Sequence, residues 1–141
     1  MGRIVSLDIG DARIGIASTD ETRLIVSPLD VFVRSASIKA DVRNLAALIT
    51  NLSAESVIIG LPLNAEGANG IQAEKILEFS KRLANQIISE IVYWDERFST
   101  QEAAEELIEM GASRKKRKKV IDQCAAVLIL ESYLNSKLGD K

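Results

Sequence analysis

The chain opens on a tight rhythm of apolar positions. Ile4, Val5, Leu7 and Ile9 alternate and then run together, which suits a buried strand over residues 3–9. Gly10-Asp11 is a turn signal, and Arg13 to Ser18 continues as a second strand carrying Ile14, Ile16 and Ala17. Ser27 to Val33, opening at Pro28, reads as a third, and such close spacing predicts an antiparallel meander. The period then lengthens. Ile38, Val42, Leu45, Ala46, Leu48, Ile49 and Leu52 recur at helical spacing, with Ser37 as the N-cap. A short apolar strand over Ser56 to Leu61 and a glycine-bearing loop from Pro62 to Gly70 follow.

Beyond the loop, Ile71 to Gln86 reads as a helix, Ile87 to Trp94 as a strand and Thr100 to Met110 as another helix. Ser99 and Glu102 have the spacing of a capping box at the start of that helix, and Gly111 is a suitable stop. Val120 to Leu138 reads as a long last helix with a core stripe of Ile121, Ala125, Leu128, Ile129 and Leu134. Strands first and β-α alternation later predict an α/β fold, a mixed five-stranded sheet with helices packed on it. At 141 residues, with no internal repeat and no dividing linker, the expectation is one domain over 1–141.

Composition narrows the chemistry. With 47% hydrophobic residues a substantial core can form, and no apolar run approaches the length of a bilayer span. The amino-terminus lacks the basic, apolar and small-residue regions of a signal peptide, so a cytoplasmic protein with no membrane partner is expected. The absence of histidine removes histidine triads, general bases and metal ligands. The single cysteine, Cys124, excludes an intrachain disulfide and a zinc cluster, and its apolar surroundings point to core packing. A reactive site must then use carboxylates, hydroxyls, lysines, arginines and backbone. Carboxylates and water are the natural ligands of Mg2+ and Mn2+.

Charge is unevenly spread. Residues 114–119 read Arg-Lys-Lys-Arg-Lys-Lys, six of the 18 basic residues, leaving 12 basic against 20 acidic side chains elsewhere. An acidic body with one concentrated basic segment can hold a phosphate backbone at one place. A solvated tether is the bland alternative.

Three acids stand out. Asp8 ends the first strand, where a charge among apolar residues is costly unless paired or metal-bound, although an Asp can also cap a hairpin turn. Asp95 and Glu96 end a later strand, and alternation sends them to opposite faces, so at most one joins Asp8. Asp122 lies one turn into the last helix, where it could equally serve the helix dipole. Converging at one sheet edge, such acids repel unless divalent cations neutralise them. Two metals about 4 Å apart can activate water and stabilise the leaving oxygen of a phosphodiester.

Four segments, in order and covering nearly the whole chain, carry a family resemblance. They are Leu7-Asp8-Ile9-Gly10 with Arg13-Ile14-Gly15-Ile16-Ala17; Ile59-Gly60-Leu61-Pro62-Leu63-Asn64; Asp95-Glu96-Arg97-Phe98-Ser99-Thr100 with Glu102-Ala103; and Arg114 through Asp122 with Ala125-Ala126. The chain resembles the YqgF/RuvX family of pre-16S rRNA nucleases, formerly described as Holliday junction resolvases. It departs at Ala65-Glu66-Gly67, where Met-Asp-Gly is frequent, at Ile71, where proline is frequent, and at Asp11-Ala12, a pair that often includes lysine.

The resemblance implies a ribonuclease-H-like fold and a Mg2+- or Mn2+-dependent nuclease, with Asp8, Glu96 and Asp122 as metal ligands and catalytic acids. Substrate contacts are expected from Arg13, Arg97, Lys115, Lys116, Arg117 and Lys118. Arg13 could instead pair with Asp11 or Asp20, Arg97 could orient a carboxylate, and Trp94 is expected in the core rather than beneath a base. The implied partner is nucleic acid, precursor rRNA at the 5′ end of 16S or else branched DNA, bound by a monomer or a homodimer. Two rivals are a nucleotide-binding module of the actin/hexokinase type, which would need a second such domain and a glycine-rich adenosine loop, and a catalytically silent RNA-binding assembly factor.

Overall fold

The computed structural model describes residues 2–62, 70–95 and 125–136. The helix expected over 100–110 lies outside these residues, as do Glu96, Arg97, Lys115, Lys116, Arg117, Lys118, Asp122 and Cys124. β1 (Arg3–Ile9) and β2 (Arg13–Thr19) form the antiparallel hairpin that Gly10-Asp11 predicts, and β3 (Val26–Pro28) extends it. β5 (Ala54–Leu61) pairs with β1 in parallel and β6 (Glu90–Asp95) pairs in parallel with β5. The order across the mixed sheet is β3-β2-β1-β5-β6, with β1 at the centre.

A sixth strand, β4 (Phe32–Val33), also pairs with β2, so the single third strand expected over 27–33 is two pieces. The register explains the break. Ala17 pairs with Pro28 but Ile14 with Phe32, so three steps on β2 match four on its partner. The Leu29 N–H still donates to the Ile16 carbonyl at 2.8 Å, so the extra residue lies between Leu29 and Phe32 as a bulge in the ladder.

α1 (Ile38–Asn51) and α2 (Ile71–Ala84) cover one face of the sheet. Val5, Leu7 and Ile9 of β1 join Val57 and Ile59 of β5 beneath Val42, Leu45 and Ile49 of α1 and Ile76, Phe79 and Leu83 of α2. Helical residues 125–136, here α3, cover the other face, where Ile4, Ala17 and Ile58 meet Ala126, Ile129 and Leu130. Ala125 and Ile129 of the expected stripe are fully buried and Leu134 packs beside them, while Ala126 and Leu130 widen the stripe and Leu128 is only half-buried. No helix among the described residues is long and apolar enough to cross a membrane.

The amino-terminal end of α1 holds a buried charge. Ser37 caps the helix, its hydroxyl accepting from the Ala40 N–H at 3.1 Å. Asp41, only 2% exposed, accepts from the Ser35 N–H at 2.9 Å and the Ser35 hydroxyl at 2.8 Å, and lies 3.5 Å from Arg34 Nε. Burial disfavours its charge, but the Ser35 hydrogen bonds and Arg34 outweigh burial and lower its pKa from the ordinary 3.8. A carboxyl depressed on folding contributes stability above its unfolded pKa and loses it as pH falls through the folded value. Urea unfolding from roughly pH 6 down to pH 2 checks this. Wild type should lose stability on the acid side, while Asp41→Asn should start less stable at pH 6 and decline with a shallower slope.

Candidate functional site

Asp8 is the penultimate residue of β1, and strand alternation assigns it to the α3 face together with Ile4 and Ser6. The registers place the residues around it in rows. In the lower row Ser6 lies between Ala17 of β2 and Ile58 of β5, and Val92 of β6 follows. This row lies under α3, with the Ser6 hydroxyl donating to the Ala126 carbonyl at 2.6 Å. One step towards the carboxyl end of β1, Asp8 pairs with Gly15. Since Leu7 lies beside Ile59, the parallel register sets Gly60 next to Asp8, and Trp94 follows beside Gly60.

Asp8 therefore has a glycine on each flanking strand. Neighbouring strands are only about 4.8 Å apart, so any side chain at 15 or 60 would stand against the carboxylate. Glycine weakens a strand interior, and its presence between Ile14 and Ile16, and again after Ile58-Ile59, was the available signal for this pairing. In the sequence both glycines are only parts of the family-like segments, and that they flank one acid is visible only in the fold.

The expected companions of Asp8 divide. Arg13 opens β2 on the same face, two residues from Gly15, and is half-buried. Of the acids considered as its partners, Asp11 lies 3.9 Å from Lys75, and Asp20 accepts from Thr22 and from the Leu24 and Ile25 N–H groups. Asp95, paired with Leu61, belongs to the α1-α2 face and is exposed. It is therefore not on the side of Asp8. Trp94 is on that side but is fixed against α3: its Nε1 donates to the Ser132 hydroxyl at 3.0 Å, and its ring meets Tyr133 edge-on at 5.5 Å. It is a packing residue, as expected. Glu96 and Asp122 lie outside the described residues, as do Arg97 and the basic run; among the described residues no three acids or thiols gather as a metal cluster.

Immediately beyond Asp8 the chain turns sharply. The Gly10 N–H donates to the Arg13 carbonyl at 2.9 Å, and a Cβ at Gly10 would lie 2.8 Å from that oxygen. Arg34 reaches the turn from the α1-α2 side, its Nη1 donating to the Gly10 carbonyl at 2.7 Å. On that side a cavity of about 510 Å³, lined by Ile9, Asp11, Arg34, Ile71 and Phe79 among others, opens beside the turn. The register sets Asp8 on the other face, so this cavity does not belong to the Asp8 site.

In chemical terms the α3 face offers a carboxylate at a strand end, a glycine in register on each flanking strand and a cationic residue two positions along β2. A hard cation prefers oxygen ligands, so the donor type suits Mg2+ or Mn2+.

Comparison with known proteins bears on this arrangement. The family model described as RuvX: Holliday junction resolvase matches residues 2–136. A protein of Desulforudis audaxviator named as a pre-16S rRNA nuclease is 41% identical over 135 residues, spanning 96% of this chain and 95% of its own. One of the same name from Desulforamulus reducens is 42% identical over 134 residues, 95% of this chain and 97% of its own. Among solved structures, T. thermophilus RuvC in complex with Holliday junction substrate aligns with a TM-score of 0.57 at 14% identity, covering 95% of this chain and 96% of that one. At this identity the likeness is one of fold, which is ribonuclease-H-like.

The turn after Asp8 is tested by adding one methyl group. Gly10→Ala forces a Cβ against main-chain oxygen rather than against a movable side chain. It should cost about 1–3 kcal/mol, read as a lower urea midpoint at unchanged m-value.

Proposed function

The chain belongs to the RuvX family, and on that premise we propose that it is a divalent-metal-dependent nuclease acting in the cytoplasm on the 5′ end of precursor 16S rRNA. The observation that carries the reading is Asp8 at the carboxyl end of the central strand, with Gly15 and Gly60 in register on either side. Glu96 and Asp122 complete the acid set. Even-numbered positions of β6, Val92 and Trp94, pack on the α3 face, and Glu96 follows Trp94 by two. Asp122 precedes Ala126 by four positions, one turn of an α-helix, and Ala126 is held over Ser6, two residues before Asp8.

Asp8, Glu96 and Asp122 hold Mg2+ or Mn2+, which when bound supplies charge neutralisation and Lewis acidity at the scissile phosphate. The two flanking glycines leave the sugar-phosphate backbone room to approach the carboxylate. Arg13 and Arg97 orient substrate phosphates, and Lys115, Lys116, Arg117 and Lys118 draw the nucleic acid to a body that is otherwise acidic. The carboxylates also orient attacking water, a task for which the chain has no histidine.

Branched DNA is the second reading, favoured by the description of the matching family model. A precursor rRNA fragment and a four-way DNA junction assayed side by side decide between them. Preferential cleavage of the RNA end supports the first reading, and paired nicks in the junction support the second.

Substitution tests the acids. Asp8→Asn should abolish cleavage in a folded protein, and EDTA should do the same to wild type. Glu96→Gln should slow cleavage at least about a hundredfold, whereas Asp95→Asn, on the opposite face, should leave it nearly unchanged. Full activity of Asp8→Asn, or an essential Asp95, would contradict the assignment.

The basic run is tested through salt. Replacing Lys115, Lys116, Arg117 and Lys118 with Gln should weaken substrate binding and reduce the slope of log affinity against log salt by up to about one per lost phosphate contact. Equal slopes in wild type and variant would make the segment a solvated tether.

A further inference from the structure

Arg34 has more structural partners than a surface arginine needs. It follows β4, its side chain is 14% exposed, and its guanidinium meets three elements at once. Nε faces the buried Asp41 carboxylate of α1 at 3.5 Å. Cζ stands 4.8 Å above the ring of Phe79 on α2. Nη1 donates to the Gly10 carbonyl at 2.7 Å. The main chain of Arg34 grips the same turn, its N–H donating to the Ala12 carbonyl at 2.9 Å. The turn after β1 is thus held at two points, the Gly10 and Ala12 carbonyls, by one residue, while its own Gly10-to-Arg13 bond closes it from within.

This grip lies on the α1-α2 side of the sheet, and Gly10 is two residues beyond Asp8. β1 and β2 stay paired as far as Ile9 opposite Ile14, one residue past Asp8, so the turn that Arg34 holds begins directly where that ladder ends. A site that depends on where a carboxylate sits is sensitive to displacement, since about 1 Å of misplacement can cost a hundredfold in rate. The planar guanidinium is suited to the task because it directs rigidly spaced donors at two acceptors while its face lies on an aromatic ring. A lysine has one mobile ammonium and cannot span Asp41 and Gly10 in the same way.

We infer that Arg34 is a positioning residue of the acid site: through the Gly10 carbonyl it fixes the end of β1, and with it Asp8, from the opposite face of the sheet. The inference rests on the reading of Asp8 as a metal ligand. It assigns Arg34 no contact with substrate or metal, and it assigns Asp41 and Phe79 the role of orienting the guanidinium.

Arg34→Lys and Arg34→Met separate this role from charge balance and from phosphate binding. The lysine preserves a cation beside Asp41; the methionine removes it and is the variant more exposed to misfolding. Three quantities are measured on each full-length protein: the melting temperature, Mn2+ affinity by electron paramagnetic resonance without substrate, and affinity for a precursor rRNA fragment in EDTA. Arg34→Lys should melt close to wild type yet bind Mn2+ about tenfold more weakly, in the range seen when residues supporting metal ligands are replaced. Its metal-free RNA affinity should be unchanged. Wild-type Mn2+ affinity in folded Arg34→Lys would overturn the inference, as would a matching loss of metal-free RNA affinity. Asp8→Asn is the control for the underlying reading. If it too binds Mn2+ like wild type, the metal assignment itself fails; if it loses Mn2+ while Arg34→Lys keeps it, only the role of Arg34 fails.

Discussion

Burial of β1 on both faces is the constraint from which the rest of the structure follows. Val5 and Leu7 are sealed under α1 and α2 while Ile4 and Ser6 lie towards α3, so neither side of this strand can tolerate an unmatched charge through most of its length. Asp8 becomes possible only where that double cover ends. Position in the strand decides what each polar side chain on this face meets: two residues before Asp8, the Ser6 hydroxyl donates to the Ala126 carbonyl. The parallel pairing of β1 with β5 and of β5 with β6 then brings the carboxyl ends of three strands to one edge.

Much of this was legible in the sequence because the signals were local. Ser37 caps α1, the hairpin turns at Gly10, and the helices begin at Ile38 and Ile71 as their spacing requires. What was illegible was relational. Hydrophobic periodicity showed that 27–33 was extended but not that register would divide it, since the additional residue is apparent only against β2. The expected strand from Ile87 begins instead at Glu90, and Ile88 is fully exposed. An apolar residue there satisfies the pattern without serving the core.

The candidate site follows the same division. Asp8 could be identified from its place at a strand end, and alternation correctly separated Asp95 from it. The convergence of Gly15 and Gly60 on Asp8 required the strand order, because 44 residues lie between the two glycines along the chain. Arg34 escaped notice for a related reason. In sequence it is an isolated cation after three apolar residues, and only the fold gathers Gly10, Asp41 and Phe79 around it.

The two covers of the sheet differ in how they are tied to it. The α1-α2 side joins two helices to the strands in one apolar cluster. On the other side α3 is also tied by polar bonds, from the Ser6 hydroxyl to the Ala126 carbonyl and from Trp94 Nε1 to the Ser132 hydroxyl. A buried hydroxyl that loses its acceptor incurs the full desolvation penalty of the group. Apolar side chains can re-form contacts after a helix slides by one residue, but the Ser6 bond cannot, so the register of α3 over the central strand is fixed by a single hydroxyl.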